Sequence, residues 1–149
     1  MTQLSPHFAL DELVRSDYAL RSGIDNAPND FERLNLSRLA NLALEPARDI
    51  LGVPLHINSG FRSPGVNAAV HGSPHSAHLD GLAADFVPIG LALRNAFDAL
   101  RTGLKYYDQI IIECNAWIHL SIPEAGDTPR RDQLAASGTP GNWRYSSVA

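Results

Sequence analysis

D-Q-I-I-I-E-C-N-A-W-I-H-L-S-I, residues 108–122, is the stretch on which the reading of the fold turns. Two apolar runs, residues 108–113 and 117–122, flank a short polar break and read as strands close enough to pair as a hairpin. Alternation in the second run sets His119 on the face opposite Ile118 and Leu120. The length of the connection stays open. A turn made of Cys114 and Asn115 pairs Glu113 with Ala116. A turn one residue longer pairs Glu113 with Trp117, on the same sheet face as His119.

Outward from this hairpin the elements alternate irregularly. Residues 8–14 follow Ser5 and Pro6 and carry Phe8, Leu10, Leu13 and Val14 at helical spacing. Residues 21–30 are turn-forming types and read as a loop. A longer helix over 33–51 is supported by Leu34, Leu36, Leu39, Leu42, Leu44, Ile50 and Leu51, with a kink or break near Pro46 and a stop at Gly52. Residues 54–58 read as a strand, 64–70 as a short helix with Pro64 in its first turn, 82–87 as a strand and 90–100 as a helix. No repeated strand–helix–strand unit is visible. The pattern predicts an α+β fold, a small antiparallel sheet flanked by helices. Residues 1–123 are expected to form a single domain, and the Pro- and Gly-bearing residues 124–149 an irregular tail.

Bulk properties exclude several classes. A chain of 149 residues, 44% hydrophobic and 19% charged, reads as one globular unit with a real core. The net charge of −4, with no basic stripe, argues against a nucleic-acid partner, and no apolar run is long enough for a membrane span. The single cysteine, Cys114, excludes an internal disulfide and a multi-cysteine zinc site. The start shows no basic stretch followed by an apolar run, so synthesis in the cytoplasm is expected. An extracellular target then requires separate delivery. Oligomeric state is not legible.

Chemistry concentrates in S-A-H-L-D-G-L-A-A-D, residues 76–85. A neutral imidazole and a carboxylate suit a borderline cation such as zinc. His78 leaves a loop end, Asp85 points from the following strand, and His119 supplies a third ligand from a second strand. Three protein ligands leave a fourth position for water, the arrangement of a catalytic zinc site.

The pattern S-x-H-x-x-G-x-A-x-D, filled by Ser76, His78, Gly81, Ala83 and Asp85, is followed by W-x-H at Trp117 and His119. Together they resemble the zinc D-alanyl-D-alanine carboxypeptidase family. That family includes phage endolysins cutting L-alanyl-D-glutamate and the D-Ala-D-Ala dipeptidases, and S-G-F-R-S-P-G-V-N at residues 59–67 matches its upstream segment. The resemblance spans residues 8–122. It implies a hedgehog/DD-peptidase-like fold, one Zn2+ per chain on His78, Asp85 and His119, and a metallopeptidase acting on peptidoglycan stem peptides. The short chain resembles the small phage-type members, so a lysin acting on the wall after delivery is expected. Arg62 corresponds to the arginine that steadies the oxyanion or a substrate carboxylate. Ser76 stands where a hydroxyl either contacts substrate or caps its own backbone.

One position departs from the pattern. The carboxypeptidase branch carries an acid three residues before the last histidine, and here that residue is Ala116. Glu113 is the best substitute as general base, since Asp80 lies in the ligand loop and Asp108 at the far end of its strand. Without a working base the chain would instead be a zinc-stabilised module that binds wall peptide or serves in phage assembly.

Overall fold

The computed structural model describes residues 2–148. Two short paired strands, β1 (Gln3–Ser5) and β2 (Phe8–Ala9), lead into α1 (Leu10–Val14) and α2 (Asp17–Ser22). The helix α2 takes in the first two residues of the expected 21–30 loop. Its ends are signalled locally: the Ser16 side chain accepts from the Ala19 N–H, and Gly23 closes the helix at φ +66.

The expected 33–51 helix begins earlier, as α3 (Asp30–Leu39), with Asn29 and Glu32 forming a reciprocal capping box. The expected break at Pro46 takes the form of a widened π turn over Ala40–Leu44, after which α4 (Glu45–Leu51) continues the rod. Proline has no N–H to give, and its ring crowds the carbonyl four residues back. A five-residue hydrogen bond, Glu45 N–H to Ala40 O, makes room for it.

Six strands then form the main sheet: β3 (Leu55–Ser59), β4 (Ala83–Pro88), β5 (Gln109–Glu113), β6 (Trp117–Ser121), β7 (Asp132–Thr139) and β8 (Asn142–Ser147). Their order is β3-β4-β6-β5-β7-β8. Between them lie α5 (Pro64–Ala69), a 3-10 turn at Ala77–Asp80, and α6 (Leu93–Gly103). The class is α+β, as expected. All pairings in the main sheet are antiparallel except β5 with β7, which run parallel.

The expectation of an irregular tail over residues 124–149 is corrected. After β6 the chain crosses to the far edge of β5, where open backbone groups await a partner, and β7 and β8 extend the sheet there. Asp108 fixes the starting register. Its carboxylate accepts from the Arg130 backbone N–H (2.9 Å) and guanidinium (2.7 and 3.0 Å), and its carbonyl accepts from the Asp132 N–H at 3.0 Å.

Strand alternation gives the sheet two unlike faces. Ala84 and Phe86 on β4, Ile110 and Ile112 on β5, and Ile118 and Leu120 on β6 join one buried cluster with Leu36, Leu39, Ala43 and Leu44 from the helical rod and Phe97 and Leu100 from α6. Each Leu, Ile or Phe among them stabilises by about 1.5–3 kcal/mol on burial. The opposite face carries Asp85, His119 and Glu113 and faces a cleft.

Candidate metal centre

Asp85 and His119 are direct cross-strand partners on β4 and β6, so their side chains rise from the same face at neighbouring positions. His78 arrives from the 3-10 turn. That turn begins at Ser76, whose hydroxyl accepts from the His78 N–H at 3.3 Å, and ends at Gly81 with φ +72. A Cβ on Gly81 would lie 2.6 Å from the Glu32 carbonyl oxygen, so only glycine lets the chain turn there into β4. The ligand-capable atoms of His78, Asp85 and His119 all lie within 4.8 Å of one another, and all three residues are buried.

Hydrogen bonding sets the state of each group. His78 Nδ1 lies 2.7 Å from the Gly60 carbonyl oxygen. A carbonyl only accepts, so Nδ1 carries the hydrogen, and burial pushes His78 below the usual imidazole range. The ring is therefore neutral near pH 7, with a bare lone pair on Nε2. That lone pair faces Asp85 Oδ1 at 3.3 Å. Burial alone would raise the Asp85 carboxyl, but its imidazole surroundings, with a hydrogen bond from His119, hold it well below the usual carboxylate range. Two acceptors at this spacing repel unless a cation lies between them. The gap also matches the ligand–ligand edge of about 3.3 Å in a tetrahedral zinc site with bonds of about 2.0–2.1 Å. The second side is His119 Nδ1 to Asp85 Oδ1, at 2.9 Å. Burial works against charge on His119, yet the hydrogen bond and charge of Asp85, followed by the charge of Glu113, raise it overall. A cation binding there must displace that proton. Two imidazoles and one carboxylate are a fitting donor set for zinc.

Arg62 reaches this centre behind Asp85. Its Nη2 donates to Asp85 Oδ2 at 3.2 Å, the oxygen turned away from the imidazoles. Nε donates to Ser59 Oγ at 3.1 Å and Nη1 to Asn67 Oδ1 at 3.4 Å. Three of its five N–H donors thus brace it against β3, α5 and β4, and two are left over in a residue that lines the cleft. Ser59 and Asn67 lie inside the segment quoted from residues 59–67, but nothing in the sequence pattern signals them as the arginine's partners. Buried Asn67 also donates to the Ser73 carbonyl at 2.9 Å, tying the cleft loop to the same brace.

The hairpin register resolves the open turn. Glu113 pairs with Trp117, the longer of the two connections, so Glu113 shares the face of His119. Cys114 and Asn115 adopt positive φ in the exposed turn, and Ala116 is exposed beside them. Glu113 Oε1 lies 4.0 Å from His119 Nδ1, while Oε2 accepts from Trp117 Nε1 at 2.9 Å. The Trp117 indole thereby holds the carboxylate. Burial, then the charge of Asp85, pushes Glu113 above the usual carboxylate range, against the pull of His119, Trp117 and Arg62.

The cleft over this face measures about 1270 Å³. Ser76, His71 and His75 line one side of it, and Trp143 and Tyr145 of β8 line another.

A family model described as Peptidase M15 matches residues 6–121. The chain belongs to the peptidase M15 family. Members are zinc peptidases, which implies a peptide substrate, and the buried His-Asp-His cluster could hold a metal ion. The matched residues of this M15 chain end at β6, before β7 and β8. No curated protein matches the chain. No helix among the described residues is long and apolar enough to cross a membrane.

Proposed function

We propose that this M15 protein is a zinc peptidase that hydrolyses peptidoglycan stem peptides, with His78, Asp85 and His119 holding one Zn2+ and Glu113 acting as general base. The observation that carries the reading is Glu113 on the ligand-bearing face, with one carboxylate oxygen tethered to Trp117 and the other 4.0 Å from His119. Zinc held there would polarise a scissile carbonyl and acidify a water. Glu113 accepts the proton of the attacking water at Oε1 and returns it to the departing amine. Its raised pKa brings it closer to the pH at which such a shuttle works best. Arg62 orients Asp85 through Oδ2, and its two remaining N–H donors are available to the carbonyl oxygen or a substrate carboxylate. Ser76 caps the ligand turn and keeps its own hydroxyl hydrogen for substrate.

The wall-peptide substrate and a lysin-type role, with delivery to the wall by another agent, rest on the motifs at residues 59–67 and 76–85. Metal analysis and cleavage of defined muropeptides, followed by mass spectrometry, test the proposal. One zinc per chain is expected, with fragments that disappear on chelation and return with added zinc. A zinc-loaded, folded protein that releases nothing from any muropeptide would make it a wall-peptide-binding module instead.

A further inference from the structure

The sheet register lines up one row of side chains across the cleft floor. Trp117 on β6 pairs with Glu113 on β5, Glu113 with Ala136 on β7, and Ala136 with Tyr145 on β8. Strands lie about 4.8 Å apart, so Tyr145 stands about 10 Å from Glu113 along this row. Ala136, the residue between them, carries only a methyl group. Ala136 is itself only 5% exposed, so its larger neighbours cover it, and Glu113 and Tyr145 flank it in the row and both line the cleft.

Tyr145 is not a core residue. It is 55% exposed, whereas Tyr107 is fully buried. Among the described residues no hydrogen bond engages its hydroxyl, yet the phenol feels the charges of Glu113 and Asp85, which add to partial burial in raising its pKa. The hydroxyl therefore keeps its hydrogen and lies within the field of the metal centre. The β7–β8 turn also reaches the cleft, where Gly141 and His71 both line it and a Cβ on Gly141 would come within 4.0 Å of His71 Cβ. The ring thus lines the cleft with an unused donor, and it has few torsions to lose when a ligand docks.

From this juxtaposition we infer that Tyr145 is a substrate-contacting residue. Its hydroxyl donates to a main-chain carbonyl of the peptide, on the Glu113 side of the bond that is cut. The inference rests on the proposed peptidase reading and adds a contact from β8, beyond the residues that the family model matches. Such a bond is made equally in the bound and reacting states, so its loss raises KM and leaves kcat unchanged.

The test compares the wild type with Tyr145→Phe on two probes, a free stem pentapeptide ending in D-Ala-D-Ala and the same peptide carrying its disaccharide. The expected result is a KM raised about five- to tenfold on both probes, the size of one lost neutral hydrogen bond, with kcat, zinc content and melting temperature unchanged. An unchanged KM overturns the inference. So does a loss confined to the sugar-bearing probe, which would assign the hairpin to glycan, or a fall in kcat with KM unmoved. Calorimetric titration of the free pentapeptide into both proteins reads the contact without turnover. A wild type that binds peptide but cleaves nothing sinks the hydrolase reading alone, and a weaker Kd in Tyr145→Phe would still support the contact. A wild type that neither binds nor cleaves sinks both.

Discussion

The two faces of the main sheet are built from the same three strands and obey opposite rules. On β4, β5 and β6, one set of alternate residues is wholly apolar and packs on the helices, while the other carries Asp85, His119 and Glu113. The first face gains from any well-shaped hydrocarbon and tolerates exchange within it. The second buries charge and lone pairs at fixed spacings, with nearly every polar atom committed to a partner. One face determines whether the chain folds, and the other what the folded chain does. Changes to either should therefore be separable in stability and in activity.

The sharpest break is Glu113→Gln. It preserves shape and the Trp117 contact but removes the proton acceptor, so kcat should fall about 10²–10⁴-fold on a muropeptide substrate. Zinc content and melting temperature should be unchanged. Undiminished turnover would remove Glu113 from the mechanism.

Ile118→Ala works from the other face. Ile118 is fully buried between Phe86 and Ile112 in the sheet register, and its truncation should cost about 2–5 kcal/mol in denaturant unfolding. Material that remains folded should keep its kcat, because the neighbouring residue His119 points away from the cavity. A matching loss of kcat in the folded fraction would show that the faces are not independent.

Arg62→Lys tests how much of the site is brace. A single ammonium cannot span Ser59, Asn67 and Asp85 together, so zinc affinity measured by competition with a chelator should weaken about 10–100-fold. Unaltered affinity would mean that Asp85 needs no support.

The smallest effect concerns Asp108, outside both faces. Burial raises its carboxyl, but the hydrogen bonds and charge of Arg130 outweigh this and lower it overall. A lowered folded-state pKa contributes stability above the unfolded value, near pH 4, that is lost as pH falls through the folded value. Asp108→Asn should cost about 0.2–1 kcal/mol at pH 7, a range set by the exposure of Arg130. The gap from wild type should close as the pH is lowered below about 4. A difference that persists at acid pH would assign the loss to geometry instead of charge.

What the sequence made legible follows the range of the forces involved. His78, Asp85 and His119 were singled out because the motifs at residues 76–85 and 117–119 resemble a known family, their meeting itself depending on the pairing of β4 with β6, while the helix kink was readable because Pro46 has only local ways to be accommodated. The helix α2 was also within reach: Ser16 and Gly23 mark its ends, but six residues give too little apolar periodicity to announce it. The choice between two turn lengths needed the register itself. The partners of Arg62 were not legible, since Ser59, Asn67 and Asp85 meet only once β3, α5 and β4 have packed. The same holds for β7 and β8. Their residues are mostly half-buried or exposed, and their place depends on a parallel pairing with β5 across a long connection.

That connection leaves the last two strands attached along one side only, with β8 bonded to β7 and, among the described residues, to no further strand. Such a hairpin can peel from β5 at a free energy well below that of global unfolding. Backbone amides of β8 should therefore exchange with deuterium ahead of those in β5 and β6. Each opening would swing Tyr145 away from the cleft without disturbing the three clustered side chains on β4, β6 and the 3-10 turn, so the rate of that breathing sets an upper bound on how fast a product held by this wall could leave by that route.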